Sequence, residues 1–263
     1  MIGLFLGSTD FPKKILNKIK KNKIKYFIID LTKNNIFKKD QQCHNVSIGK
    51  FGQILNLIKE KKCKKVLFAG KIVKPKFSEI KFDLRGVYYI PRLIKASKLG
   101  DAAILKELIQ ILSENKIKVI RSNFFNPELT LLKGNYSKIK PNKIDLININ
   151  KGIKSLNGLN AHNHVQGLIV RNNSIIAKET SNGTKKMILS INKNRKNYAI
   201  LIKFPKKKQD LRADLPTIGI DTLKDCNRVN IKGVVLKANK NIFLDKKKCI
   251  DFANKNKMFI KII

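Results

Sequence analysis

The chain contains no tryptophan, three histidines and only 18 acidic residues against 57 basic ones. That shortage of acid leaves a formal net charge of +39, a surplus that ordinarily points to an anionic partner. Arginine is scarce within the surplus: it occupies only positions Arg85, Arg92, Arg121, Arg171, Arg195, Arg212 and Arg228, and lysine supplies the rest. Lysine, isoleucine and asparagine recur everywhere, the pattern of A/T-rich codons, so the charge is discounted as a nucleic-acid footprint. A nucleic-acid-binding module would gather its bases on one face with aromatics between them. Here lysine is spread evenly and the aromatics fall mainly inside apolar runs, so no nucleic-acid partner is expected. The same scarcity makes each arginine informative, because its planar fork serves where bidentate recognition of carboxylate or phosphate is needed.

Other absences narrow the class further. Cys43, Cys63, Cys226 and Cys249 share no C-x-x-C spacing and lie beside no histidine pair of ligand type. They read as reduced thiols of a cytoplasmic protein, two of them core fillers. The opening apolar run is shorter than the about 7–15 residues of a signal peptide, and no run approaches the roughly 18 residues of a membrane span. No nucleophile elbow, kinase-type loop, G-x-G-x-x-G or P-loop is present. His162 and His164, in "AHNH", would share a face at a strand start. Neither has an acidic or thiol partner nearby, and a structural role outweighs metal binding; His44 has still less to recommend it.

What is present is an alternation. "IGLFLG" from Ile2, "KYFIIDL" from Lys25, "KVLFAG" from Lys65 to Gly70 and "IKVI" from Ile117 read as strands. Helical patterns begin at Phe11, Phe51 and Asp101 between them. Strands alternating with helices predict a parallel sheet covered on both faces, with ligands beyond the carboxyl ends of its strands. At Gly134 the texture turns polar. We read residues 1–134 as one α/β domain, 135–143 as a linker and 144–263 as a second α/β domain. The second part holds a helix near Ile144–Leu156, a hairpin turning at Arg171-Asn172-Asn173, a helix after Gly183 and a strand Tyr198–Phe204. "IKGVVLK", "NIFL", a helix from Lys246 to about Asn256 and a last strand "MFIKII" complete it.

Two stretches carry candidate chemistry. Gly7-Ser8-Thr9 lies where the first strand turns into a helix, a place where backbone N–H groups hold phosphate or simply make a tight turn. "LIKFPKKKQDLRADLPTIG" brings Lys203, Gln209, Asp210, Arg212, Asp214, Pro216, Thr217 and Gly219 together. An extended chain there would point residues 212 and 214 to one side, with Pro216 holding Leu215 extended and Gly219 allowing a turn. The plain reading is that Asp214 caps a turn and Arg212 pairs with it. The functional reading is a cationic clamp of Arg212 and Lys203 beside an acid, Asp214, that holds a metal or polarises water, suited to an anionic phosphate ester.

These residues, with "IGLFLGSTDFP", "IGKFGQILNLIKEKKCKKVLFAGKIVKP", "DLRG" at Asp83–Gly86, "LGDAAIL" at Leu99, "QG" at Gln166 and "GT" at Gly183, support a match. In order and spacing the chain resembles, over almost its whole length, the UDP-2,3-diacylglucosamine pyrophosphatase family of lipid A biosynthesis, the family without the calcineurin-type fold. The resemblance implies a Rossmann-like N-terminal domain and a second α/β domain, with the active site in the cleft between them. It implies Mg²⁺-dependent hydrolysis of UDP-2,3-diacylglucosamine to UMP and 2,3-diacylglucosamine 1-phosphate. Asp214 falls on the family's essential acid, in an arginine-x-aspartate-x-proline motif, and is the expected metal-holding residue with Glu179. Arg212, Lys203, Gln209 and Thr217 come with it as phosphate or metal-shell positions. Asp101 matches a further acid, and Gly7, Ser8, Thr9, Gly70, Gln166, Gly183 and Thr184 are the remaining substrate-binding positions. Ala102 and Lys185 stand where the family carries acids. The same resemblance places the protein in the cytoplasm, peripherally on the inner membrane, and admits a homodimer. Another nucleotide-sugar pyrophosphatase on the same fold, and a non-enzymatic nucleotide- or nucleic-acid-binding module, are the rival readings.

Overall fold

The computed structural model describes residues 1–47, 49–71, 81–159, 165–180, 182–194, 196–206 and 209–263. His162 and His164 lie outside the described residues, as do Lys207 and Lys208 of the basic stretch. The chain divides into two compact units. One comprises Met1–Pro127 with Asp210–Asp214, the other Glu128–Gln209 with Leu215–Ile263.

In the first unit, strands β1 (Ile2–Leu6), β2 (Tyr26–Asp30), β3 (Cys43–His44), β4 (Lys65–Ala69) and β5 (Lys118–Ile120) form one sheet in the order β3-β2-β1-β4-β5. Every pairing in it is parallel. Helices α1 (Asp10–Lys21), α2 (Phe51–Glu60), α3 (Leu84–Lys98) and α4 (Asp101–Glu114) connect the strands. This is the Rossmann-like order, whose strand sequence reverses at β1 and β4. Strand alternation sends Phe5, Phe27, Ile29, Val66, Phe68 and Val119 into one core with Ile54, Leu55 and Ile58 of α2 and Ile109 and Leu112 of α4. Residues of the opposite parity, Leu4, Leu6, Ile28 and Leu67, are buried too, as are Phe11, Ile15, Leu16 and Ile19 of α1. Burial on both faces is why these strands read as continuous apolar runs.

Two elements of this unit have no periodic signal. β3 is two residues long, and α3 carries Pro91 in its interior and apolar side chains on more than one side. What starts α3 is Asp83. Its carboxylate accepts from the Gly86 N–H at 2.7 Å and from the Gln53 N–H at 3.1 Å, capping α3 and the first turn of α2 at once. These bonds hold its carboxyl below the usual carboxylate range against the opposing effect of burial.

The second unit is built on a six-stranded mixed sheet of β6 (Gly134–Asn135), β7 (Gly167–Arg171), β8 (Ser174–Lys178), β9 (Ala199–Lys203), β11 (Ile231–Leu236) and β13 (Phe259–Ile262). Their order is β6-β13-β11-β9-β7-β8. A two-stranded parallel ribbon, β10 (Thr217–Ile218) with β12 (Ile242–Phe243), lies apart from it. Helix α5 (Lys143–Leu159) packs Ile149 and Leu156 with Leu168, Val170, Ile200 and Ile202. The other strand parity, Ile169, Ala199 and Leu201, packs with α6 (Gly183–Leu189), α7 (Ile220–Arg228) and α8 (Lys246–Lys255). The β7–β8 hairpin turns through Asn172 and Asn173, both at positive φ (49° and 57°), the turn whose twist suits a two-residue loop. Within residues 135–143, read above as a linker, Asn135 pairs with Lys261, and the Ser137 hydroxyl accepts from the Ile260 N–H. Three of the four cysteines, Cys63, Cys226 and Cys249, are buried, one more than the sequence reading assigned to the core.

Gly233 of β11 shows how tightly this sheet is packed. A Cβ at that position would lie 2.1 Å from Cζ of Phe259 on the neighbouring strand. Gly233→Ala is therefore expected to lower stability by about 1–3 kcal/mol through overpacking, measured as a shift of the urea midpoint with an unchanged slope.

Candidate active site

The carboxyl edge of the first unit's sheet is shaped by small residues. Beyond β1 the Gly7 N–H donates to the Ala69 carbonyl, and Ser8 and Lys71 exchange backbone hydrogen bonds of 2.9 and 2.8 Å. The Ser8 hydroxyl also donates to the Lys71 carbonyl. A Cβ on Gly7 would stand 2.4 Å from that carbonyl oxygen, and Gly70 adopts φ 87°, so the two strand ends approach only because both are glycine. Thr9, at φ 125°, then opens α1. The Ser8 N–H is thus committed within the turn, and Asp10 already places a carboxylate in the first turn of α1. Asp101 opens α4 in the same way after Gly100, at φ 104°. An acid in a first turn is favoured by the helix dipole.

The arginine-aspartate motif belongs to this same edge. The chain enters it through Gln209, which is buried; its side-chain oxygen accepts from the Lys206 N–H at 2.8 Å. It then turns rather than extends. The Ala213 and Asp214 N–H groups both donate to the Asp210 carbonyl, at 3.2 and 3.0 Å, so residues 212 and 214 do not project as alternate positions of an extended strand. This corrects the extended geometry read from the sequence. The Arg212 carbonyl accepts from the Ser122 N–H at 2.8 Å, two residues past the end of β5. Ala213 packs against the first unit's core. One backbone bond and one methyl group therefore anchor the turn to the carboxyl ends of the parallel strands, where this fold class binds ligands.

The partner of Arg212 is also different from the one expected. Its guanidinium makes a two-pronged contact with Asp210, Nε to Oδ1 at 3.0 Å and Nη2 to Oδ2 at 2.7 Å. That pairing holds the Asp210 carboxyl below its ordinary range and raises the guanidinium, with Lys106 adding to the field on Asp210. The Arg212 side chain stays about half exposed (48%). Asp210 thus fixes the arginine, and Asp214, at the end of the turn, is partly exposed. Beside them the buried Ser122 hydroxyl has no hydrogen-bond partner among the described residues.

The second unit assembles another group of the expected residues. Lys203 ends β9 and Glu179 follows β8, on either side of Gly167 at the start of β7: Gly167 is in register with Lys203, and the Glu179 N–H donates to the Gly167 carbonyl. A Cβ on Gly167 would lie 2.5 Å from Oε2 of Glu179, so the glycine makes room for an ion pair across it. The Lys203 ammonium lies 3.3 and 3.4 Å from the two Glu179 oxygens. The Thr184 hydroxyl accepts from Lys203 and donates to Glu179 Oε1 at 2.9 Å. Both charged side chains are 6% exposed. The Lys203 carbonyl accepts from Asn241, and the Gln166 side-chain oxygen, one residue before Gly167, has no partner among the described residues. Gly183, at φ 84°, leads into α6 one residue before Thr184.

Two further positions are placed more plainly. Thr217 is exposed on β10, where its hydroxyl donates to the Leu215 carbonyl. Gly219 caps α7 with an extended backbone, φ −151°, that any residue adopts, so the freedom expected of it is not used. Asp210, Ser122, Gly167 and Asn241 were given no role in the sequence reading. Asp210 alone had a local signal, an acid two residues before an arginine. No group of three or more His, Cys, Asp or Glu side chains able to hold a metal occurs among the described residues.

Comparison with known proteins agrees with this architecture. Residues 1–129 match the model of the LpxI N-terminal domain and residues 132–261 that of the LpxI C-terminal domain. A curated relative, the UDP-2,3-diacylglucosamine pyrophosphatase LpxI of Caulobacter vibrioides, is 28% identical over 224 residues, covering 82% of this chain and 80% of the relative. With both domain models matched in order along nearly all of its length, the chain belongs to the LpxI family.

Proposed function

We propose that the protein hydrolyses the pyrophosphate of UDP-2,3-diacylglucosamine to UMP and 2,3-diacylglucosamine 1-phosphate. The observation that carries the reading is the Asp210–Asp214 turn. It belongs to the Rossmann-like unit rather than to the flanking sequence, it is fastened to Ser122, and it presents a fixed, half-exposed arginine next to Asp214. In the reaction one water adds to a phosphorus atom. The bridging P–O bond breaks, and its electron pair leaves with the other phosphate. Arg212, oriented by Asp210, stabilises negative charge on the phosphoryl oxygens, and Asp214 orients the water and takes up its proton. Lys203 is assigned the phosphoryl-oxygen contact that the family resemblance implies.

Mg²⁺ fits this chemistry through Asp214. The ion commonly takes one or two carboxylates and completes its shell with substrate phosphates and water, so one carboxylate, that of Asp214, is a sufficient protein contribution. Glu179 has both oxygens engaged by Lys203 and one also by Thr184, and we assign it to holding Lys203 rather than the metal. When bound, Mg²⁺ would neutralise charge on the pyrophosphate oxygens. A diacylated substrate suits a reaction at a membrane surface, and we assign the protein to the cytoplasmic side. No helix among the described residues is long and apolar enough to cross a membrane.

Incubating the purified protein with UDP-2,3-diacylglucosamine and Mg²⁺ tests the reading. Mass spectrometry is expected to find equal amounts of UMP and the diacylated sugar 1-phosphate, and chelation is expected to stop their release. Turnover of non-acylated UDP-sugars at the same rate, or no turnover at all, would refute it.

A further inference from the structure

Helix α3 exposes an apolar stripe. Leu84, Val87, Tyr88 and Ile94 follow one another at helical spacing with Pro91 between them, and Leu99 follows at the C-terminal end. Leu84 is 91% exposed, Tyr88 73% and Leu99 67%. The opposite side is the one that packs: Tyr89 and Leu93 join the first unit's core, Gly86 and Ala96 are the helix's buried residues, and Arg92 binds Glu107 and Glu114 of α4. The stripe is therefore not the helix's route into the core. Exposed large apolar side chains gathered on one element mark an interaction surface.

The charge around the stripe selects the partner. α3 carries Arg85, Arg92, Lys95 and Lys98 and no acid, and both Lys95 and Lys98 fall on the stripe's side of the helix. At 15 residues it is about 22 Å long, too short to span the roughly 30 Å of a bilayer's hydrocarbon. A short helix with aliphatic and aromatic side chains on one face and lysines at its margin is built to lie in the plane of an anionic membrane, with lysine stems snorkelling to the headgroups.

We propose that the outward face of α3, made by Leu84, Val87, Tyr88, Ile94 and Leu99 with Lys95 and Lys98, docks the protein on anionic lipid bilayers. The total charge of the chain would attract it to any anionic vesicle, but this proposal assigns the apolar insertion to one helix. Vesicle binding is read without turnover and does not rest on the pyrophosphatase reading; the comparison of turnover does.

Co-sedimentation of the whole protein with phosphatidylcholine vesicles containing phosphatidylglycerol tests it, at a salt concentration that screens most surface charge. The parent is expected to bind. The triple variant Leu84→Ser/Tyr88→Ser/Leu99→Ser, which keeps every lysine and arginine, is expected to partition at least about tenfold more weakly, with an unchanged melting temperature. Lys95→Glu/Lys98→Glu is expected to weaken the preference for phosphatidylglycerol over pure phosphatidylcholine, the rest of the chain's charge keeping part of it. Equal vesicle binding by the triple variant and the parent would overturn the proposal. So would a matching loss of turnover on a water-soluble short-acyl substrate, which would make the stripe a seat for acyl chains. Conversion of a dimer to a monomer by the triple variant would overturn it in favour of a second copy of the chain.

Discussion

Asp214→Asn is expected to slow UMP release by about 10²–10⁴-fold while leaving the fold intact, the range lost when a positioned acid or base is removed. The substitution is close to isosteric. The backbone bonds that make the turn, from Ala213 and Asp214 to the Asp210 carbonyl and from Ser122 to the Arg212 carbonyl, use no side-chain oxygen of residue 214. Folding is thus separated from chemistry: turnover falls and the melting curve stays. Asp210→Asn makes the contrast. It removes charge from the group that fixes Arg212, so it is expected to weaken the pyrophosphate contact with a smaller loss than Asp214→Asn. Because it acts through the guanidinium, its effect should shrink in an Arg212→Lys background, where the two-pronged contact is already lost. Comparable rates for Asp214→Asn and the parent would remove Asp214 from the mechanism. A collapse of folding in Asp214→Asn would mean that residue 214 acts as a cap, the plain alternative weighed from the sequence.

The contrast between these two aspartates also shows where sequence reasoning stopped. The first unit's alternation was legible because buried parallel strands leave apolar runs such as Ile2–Leu6 and Tyr26–Asp30, and because α2 and α4 keep a helical period. The Asn172-Asn173 turn was legible for a local reason, the ease with which asparagine takes positive φ. Strands of two residues, such as β3, β6 and β10, carry no period to detect. α3 escaped because its apolar residues lie on two opposite sides, one facing the core and one exposed. At the motif, residue spacing placed Arg212 with Asp214 only on the premise of an extended chain. The Asp210 carbonyl removes that premise by accepting two N–H groups, and the arginine turns back to Asp210. The pairing of Lys203 with Glu179 had no local signal: 24 residues separate them, and only the order β8-β7-β9 brings them to the two sides of Gly167.

Lys203→Met is expected to destabilise the protein by about 3–5 kcal/mol, since it leaves the Glu179 carboxylate buried without its counter-charge. Glu179→Gln is expected to cost less, because the amide still accepts from Thr184 or Lys203 and the uncompensated ammonium can deprotonate. The double variant Lys203→Met/Glu179→Leu removes both charges. Replacing a buried pair by apolar residues of similar volume is often neutral, so its urea midpoint is expected to return most of the way to that of the parent. Activity separates the two roles of Lys203. If the ammonium contacts a phosphoryl oxygen, the double variant regains stability but not turnover, and its loss appears in kcat rather than in the amount of folded protein. Recovery of both together would make the pair purely structural, a device that ties β8 and β9 across a glycine. The Thr184 hydroxyl, which bridges the two charges, gives an independent check. Thr184→Val keeps the shape and both charges but removes the bridge. A drop in turnover without a matching change in stability would then place the precise seating of Lys203, and not merely its presence, in the chemistry.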